Sequence, residues 1–284
     1  MSVGGFTEGF ELAADGVAMR TMRWSSIQPA WAAVLLVHGV GEHAGRYDHV
    51  ARQMAAAGIA VHAYDHRGFG ASGGPRAYVE RWSILHDDLG ARLADVRAAT
   101  PNLPLVLYGH SMGGLIALGY VLTEPPRSLP DLLVLTSPGL DSTIAGWKQA
   151  LAPVLSRIAP RLRIPNGFHA GDLSRDPHVG ERVAADPLCI RSSTTRLGAE
   201  AFREQARARA LLTTRDSLPV PTYVIHGADD PIVPVAASSI LEGTSNVIRR
   251  VYPGLRHETH NEPEGAAVVD DTIAWMRQAV IGQV

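Results

Sequence analysis

Apolar residues along this chain gather into short unbroken runs bounded by Gly, Pro or Asp: Ala33 to Val37, Ile59 to Val61, Leu105 to Tyr108, Leu132 to Leu135 and Tyr223 to Ile225. Unbroken runs, unlike strict alternation, predict strands buried on both faces. Between them lie stretches of helical character: Tyr47 to Ala57 ending at Gly58, Ile84 to Ala99 ending before Pro101, and Met112 to Leu122 ending before Pro125. Strand and helix in alternation predict a parallel sheet sandwiched by helices. From Asp141 to Leu218 the alternation stops, in a segment rich in Arg, Pro and Ala. The pattern resumes with a strand over Val220 to His226, a helix around Ala236 to Leu241, a strand over Val247 to Tyr252 and a last helix from Glu264 to Val280. The prediction is an α/β core split over residues 1–140 and 219–284, with a mostly helical cap inserted at 141–218.

Within the cap, Trp147, Leu151, Val154, Leu155, Ile158 and Leu162 fall near helical spacing, interrupted by Pro153. The same stretch carries Lys148, Arg157, Arg161 and Arg163 and no acid. Two readings follow: a roof packed over a pocket, or a basic amphipathic face resting transiently on an anionic membrane.

Composition narrows the function. With 26 Lys+Arg against 28 Asp+Glu the net charge is −2, which offers no attraction to a phosphate backbone and argues against nucleic acid as a partner. Cys189 is the only cysteine, so no internal disulfide or cysteine-based metal cluster can form. The start, Met1 to Gly9, lacks the basic and apolar regions of a signal peptide, and the run Ala32 to Val37 falls far short of the about 20 residues that span a bilayer. These features predict a cytoplasmic protein, peripheral to the membrane if the cap docks there.

Leu105 to Tyr108 leads straight into Gly109-His110-Ser111-Met112-Gly113-Gly114 and then into the helix former Leu115-Ile116-Ala117-Leu118. Strand, tight turn and helix are the context that Gly-x-Ser-x-Gly requires as a nucleophile elbow, and they predict a serine hydrolase of the α/β-hydrolase fold with Ser111 as nucleophile. A serine hydroxyl needs a His base held by a carboxylate, in the chain order Ser, acid, His. Of the downstream histidines, His169 and His178 lie in the cap and His226 closes a strand, which leaves His257 and His260 before the last helix. His257 follows the strand end Val251 to Gly254 and is the better placed. For the acid, Asp229 and Asp230 both stand just beyond a buried strand, and spacing alone does not separate them. The backbone N–H of Met112 and of Val40, in His38-Gly39-Val40-Gly41-Glu42-His43, are the candidate oxyanion donors.

Two motifs mislead. His257-Glu258-Thr259-His260 is one residue short of the zinc motif His-Glu-x-x-His, so no metal is assigned. Gly68-Phe69-Gly70-Ala71-Ser72-Gly73 matches a dinucleotide fingerprint, but Gly74-Pro75-Arg76 prolongs the loop where a helix must begin, so the glycines are read as turn formers and no cofactor is assigned.

With these residues in view, the chain resembles the monoglyceride lipase group of α/β hydrolases, serine aminopeptidase S33-like hydrolases, over nearly its whole length. His38 to His43 with Arg46-Tyr47 resembles that family's HGxGEHxxRY signature, Asp65 to Ser72 its DHxGxGxS loop, and Gly109 to Gly114 its GHSMGG. Tyr252 to His257 followed by Asn261-Glu262 is similar to YxGxxHxxxxE, which supports His257, and Asp230-Pro231-Ile232-Val233 matches the family acid better than Asp229 does. The resemblance implies that Glu42, Arg46 and His260 line the polar end of the pocket, where glycerol is held. Asp186-Pro187-Leu188 resembles a family element of the cap. The implied activity is hydrolysis of monoacylglycerol, a small lipid ester, to fatty acid and glycerol. The alternatives are another carboxylesterase or lysophospholipase with the same triad, and a non-catalytic ligand-binding relative. A serine at the elbow counts against dehalogenase and epoxide hydrolase chemistry.

Overall fold

The structure, a computed structural model, describes residues 5–123 and 127–282. Pro125, read above as a helix stop, and the first four residues of the start read for a signal peptide lie outside the described residues.

Two strands open the described chain, β1 (Phe6–Leu12) and β2 (Ala18–Trp24), followed by β3 (Ala32–Val37), helix α1 (Asp48–Ala56), β4 (Ile59–Tyr64), α2 (Ser83–Ala99), β5 (Leu105–His110), α3 (Met112–Val121) and β6 (Leu132–Thr136). The next stretch holds α4 (Gly146–Ile158), β7 (Arg163–Pro165), α5 (Ala170–Leu173), α6 (Pro177–Ala185), β8 (Ser192–Thr194) and α7 (Thr195–Leu212). β9 (Ser217–Gly227), β10 (Ser245–Tyr252) and α8 (Gly265–Ile281) complete the chain. Eight strands form one sheet in the order β1-β2-β4-β3-β5-β6-β9-β10. β2 pairs antiparallel with both β1 and β4, and the remaining neighbours run parallel. This is the α/β-hydrolase architecture expected from the sequence.

Burial follows strand geometry. Successive side chains of β3 point to opposite faces, so Ala33, Leu35 and Val37 join one core while Val34 and Leu36 join the other. The first core is closed by α2, α3 and α7 through Leu89, Leu115, Leu118 and Ala208, the second by α1 and α8 through Val50, Met54, Val268 and Met276. Helices on both faces explain why the central strands read as unbroken apolar runs.

Two features differ from expectation. β1 and β2 carry polar residues between their apolar ones and sit at the sheet edge with only Met19, Met22 and Trp24 buried, so no continuous run marked them. The segment expected to be helical also contains β7 and β8, three residues each and paired antiparallel outside the main sheet, too short to leave a pattern. In α4 the apolar stripe faces outward: Trp147 is 65% exposed and Ile158 77%, whereas the small residues Ala152 and Ser156 are buried. No residue of α4 lines the main cavity, so among the two readings of this helix the pocket roof is not what the packing favours.

Candidate active site

β5 runs buried to His110, and the chain turns at Ser111 directly into α3. A Cβ on Gly109 would lie 2.6 Å from the Gly113 carbonyl oxygen, and one on Gly113 would lie 2.2 Å from that of Val37. Both obstacles are backbone, so the glycines of the motif are steric requirements. Ser111 holds φ +52° and ψ −117°, a conformation that costs a non-glycine residue about 1–3 kcal/mol. It is held there by its N–H donating to the Thr136 carbonyl at 3.0 Å, and by its own carbonyl accepting from Gly139 and Leu115 at 2.9 and 3.0 Å.

His257 reaches the same point from the loop after β10. The Ser111 hydroxyl donates to His257 Nε2 at 2.9 Å, and His257 Nδ1 donates to Asp230 Oδ2 at 2.7 Å. A carboxylate only accepts, so Nδ1 carries the ring proton and Nε2 keeps a lone pair facing the hydroxyl. Asp230 is itself anchored: Oδ1 accepts from the backbone N–H of Ile232 at 2.8 Å and Val233 at 3.0 Å, and Oδ2 accepts from His226 Nε2 at 3.2 Å. Asp229, its neighbour, is exposed, which separates the two candidates that spacing left open. The Ser137 hydroxyl donates to the His257 carbonyl at 2.8 Å. Nothing local marks Ser137 as a partner of His257, 120 positions away, and His226, although only four positions before Asp230, reads in the sequence as the close of a buried strand.

Burial disfavours a charged His257, but the Asp230 carboxylate and its hydrogen bond outweigh this and leave the imidazole above its ordinary 6.5. Asp230 is buried too, and its bonds from His257 and His226 nevertheless hold its carboxyl well below the usual range. His110, with its ring 4.9 Å from that of His257, is kept neutral by burial and by its histidine neighbours. Such an arrangement can move a proton from a serine hydroxyl to an imidazole and stabilise the imidazolium that forms.

Beside Ser111 lies the loop after β3. A Cβ on Gly39 would sit 3.1 Å from Ser111 Cβ, so this loop, with Val40, borders the hydroxyl. Met112 is the first residue of α3, and its N–H belongs to the helix N-terminal turn, which lacks intrahelical acceptors. The glycine-rich loop braces this region: Asp65 accepts from the N–H of Ala44 and of Ala71, both at 2.8 Å, and Gly68 and Gly70 adopt φ +74° and +49°.

These residues open onto a cavity of about 540 Å³, bounded on the far side by residues 165–170, Val183 and Ile190. One end is ionic. Arg46 Nη1 donates to Glu42 Oε2 at 2.6 Å and to Glu258 Oε1 at 2.6 Å, while Nη2 donates to Glu258 Oε2 at 2.7 Å. Glu42 Oε1 accepts from the Gly39 N–H at 2.5 Å and the Tyr47 hydroxyl at 2.7 Å. Burial raises the Glu42 carboxyl against the pull of Arg46; in Glu258, also buried, the two-pronged Arg46 contact prevails and lowers it. In the sequence Glu258 stands out only as part of the incomplete zinc motif, although its position next to His257 is a usable signal.

His260 departs from expectation. It does not line the cavity but lies behind it, stacked on Tyr47 with ring centres 4.7 Å apart, and burial holds it down to about 3. The 3-10 turn Thr259–Asn261 carries the ring under Tyr47 instead of into the cavity. Asp186, from the segment after α6, accepts from His43 Nε2 at 2.8 Å and links that segment to the loop after β3.

Comparison with known proteins agrees with this architecture. A family model described as serine aminopeptidase, S33, matches residues 28–264. The chain is 36% identical over 265 residues to a monoacylglycerol lipase of Mycolicibacterium smegmatis, covering 89% of this chain and 90% of the relative. It is 28% identical to the monoglyceride lipase of Homo sapiens, covering 93% and 88%. The crystal structure of a Paleococcus ferrophilus monoacylglycerol lipase superposes with a TM-score of 0.82 at 28% identity, covering 92% of this chain and 99% of that one.

Proposed function

This chain belongs to the serine aminopeptidase S33 family and is an ester hydrolase, and on that premise we propose that it cleaves monoacylglycerols to fatty acid and glycerol through an acyl-enzyme on Ser111. The observation that carries this reading is the unbroken relay from Ser111 to His257 at 2.9 Å and from His257 to Asp230 at 2.7 Å, opening onto a cavity of about 540 Å³. That volume lies within the range of about 300–1,000 Å³ usual for small-molecule sites.

Ser111 Oγ attacks the ester carbonyl as its proton passes to His257 Nε2, and the tetrahedral oxyanion is received by the N–H groups of Val40 and Met112. Collapse breaks the bond to the glycerol oxygen, which takes the proton from His257. Water, deprotonated by the same imidazole, then attacks the acyl-enzyme and frees the fatty acid and Ser111. Removing one oxyanion donor costs about 100- to 1,000-fold in rate, so the two N–H groups carry a large share of the barrier reduction. Glu42 and Arg46 hold the glycerol hydroxyls, and His260 serves them from behind by packing on Tyr47, which donates to Glu42.

Residues 141–218 act as a cap whose cavity-facing part receives the acyl chain. The outward stripe of α4, with Trp147, Leu151, Val154 and Ile158 exposed beside Lys148 and Arg157, continues past the helix end through exposed Leu162, Arg161 and Arg163 and supports docking of this cap on an anionic membrane surface. No helix among the described residues is long and apolar enough to cross a membrane.

The test is a panel of monoacylglycerols of graded chain length against lysophospholipids and p-nitrophenyl esters, with Ser111→Ala as control. Monoacylglycerols should give the highest kcat/KM and Ser111→Ala should abolish turnover without unfolding. Preference for a lysophospholipid, or turnover by the folded Ser111→Ala variant, would overturn the proposal.

A further inference from the structure

The ionic end of the cavity holds two buried carboxylates on one guanidinium, and they use it unevenly. Glu258 takes a two-pronged contact with both Nη atoms of Arg46, whereas Glu42 takes one and shares its other oxygen with Gly39 and Tyr47. An arginine fork left free beside an ester site is a ready phosphate clamp, since guanidinium geometry matches two oxygens of a phosphate as well as those of a carboxylate. Here the protein itself supplies the anion.

We propose that Glu258 is the specificity-determining residue for headgroup charge: by occupying the Arg46 fork it makes the site accept uncharged monoacyl polyols and reject lysolipids bearing a terminal phosphate. The inference rests on the reading of Ser111 as the nucleophile of a glycerol-ester hydrolase. Glu258 lies next to the base His257, is buried, lines the same cavity as Ser111, and is fixed further by Asn261 Nδ2 donating to its Oε2 at 2.7 Å. A phosphate entering this end meets a committed guanidinium and the fixed charge of Glu258, in surroundings of low dielectric where like charges repel strongly. Among the other described side chains on the cavity wall, Arg191 is exposed, donates to the Ala184 carbonyl and is screened by solvent, while His110 is held neutral. A glycerol hydroxyl has no charge to be repelled and can share the carboxylate oxygens as acceptors.

The experiment compares kcat/KM for 1-oleoylglycerol and 1-oleoylglycerol 3-phosphate, a pair that differs only in the phosphate, in the wild type and in Glu258→Gln. The wild type should favour the neutral ester at least 100-fold. Glu258→Gln, which removes the charge and loosens the fork, should raise the phosphate-to-neutral ratio at least tenfold. Equal handling of the two esters by the wild type overturns the proposal, as does an unchanged ratio in a Glu258→Gln variant with a native circular dichroism spectrum. If Glu258→Gln does not fold, Glu258→Asp decides: its shorter side chain should move the ratio at least threefold in the same direction, and an unmoved ratio refutes the role. A wild type that hydrolyses p-nitrophenyl esters but no glycerol ester instead overturns the functional reading beneath it.

Discussion

Replacing Asp230 with Asn tests the relay at the atom where the geometry is most constrained. In the wild type Oδ1 accepts two backbone N–H groups, from Ile232 and Val233, and Oδ2 accepts His257 Nδ1 and His226 Nε2. An amide has only one acceptor oxygen, and the paired backbone donors claim it. The NH2 then faces His257 and must donate to Nδ1, which forces the ring proton onto Nε2 and leaves no lone pair for the Ser111 hydroxyl. A tautomer fault of this kind costs about 10⁴ in kcat in a serine protease triad, equivalent to about 5.5 kcal/mol of barrier. The backbone anchors of the Asp230 side chain survive in the variant, so the fold should persist. The assay is kcat on a soluble ester, together with the rate of fluorophosphonate labelling of Ser111 and a circular dichroism melt. A loss below about tenfold in a folded variant would show that Asp230 does not set the His257 tautomer, and would refute this account of the acid.

Further consequences follow from the same geometry. The base must be neutral to accept a proton, so wild-type kcat/KM should fall as pH drops through an inflection above 6.5; in Asp230→Asn, with the carboxylate gone and burial remaining, that inflection should move down, and an upward shift would contradict the stated cause. Ser111→Gly should abolish activity yet raise Tm by a few degrees, because relief of about 1–3 kcal/mol of backbone strain exceeds the about 0.5–1 kcal/mol entropic cost of glycine; a lower Tm would mean that Ser111 is not strained. Gly113→Ala drives a Cβ into the Val37 carbonyl and should cost at least about 1–3 kcal/mol in a denaturant melt, whereas Gly146→Ala, whose Cβ meets nothing within 4 Å, should be neutral or stabilising; equal effects would undo the steric argument. Changing Lys148, Arg157, Arg161 and Arg163 to Gln should cut co-sedimentation with anionic vesicles at least tenfold, at about 1 kcal/mol per charge, and unchanged binding would remove the cap from the membrane.

Much of the fold was legible because its signals are local. The unbroken apolar runs that became β3, β5 and β6 reflect burial on both faces, a property each strand carries in its own residues. The edge hairpin β1–β2 was not, since one-sided burial at a sheet margin leaves Met19, Met22 and Trp24 scattered among polar neighbours. The outward turn of the α4 stripe was equally hidden: helical spacing reveals which residues share a face but not whether that face meets protein or solvent.

By itself the sequence determined the elbow, because Gly109, Ser111 and Gly113 answer to backbone sterics within one turn, and it put His257 ahead of His260, while spacing left Asp229 and Asp230 open and only the family resemblance favoured Asp230. Only the tertiary structure decided that Asp230 faces the imidazole while Asp229 faces solvent, that His260 packs behind Tyr47, and that Glu258 grips Arg46. The physical reason is distance along the chain. Ser111 and His257 meet across 146 positions and Arg46 and Glu258 across 212, and such meetings depend on the order in which the strands pair.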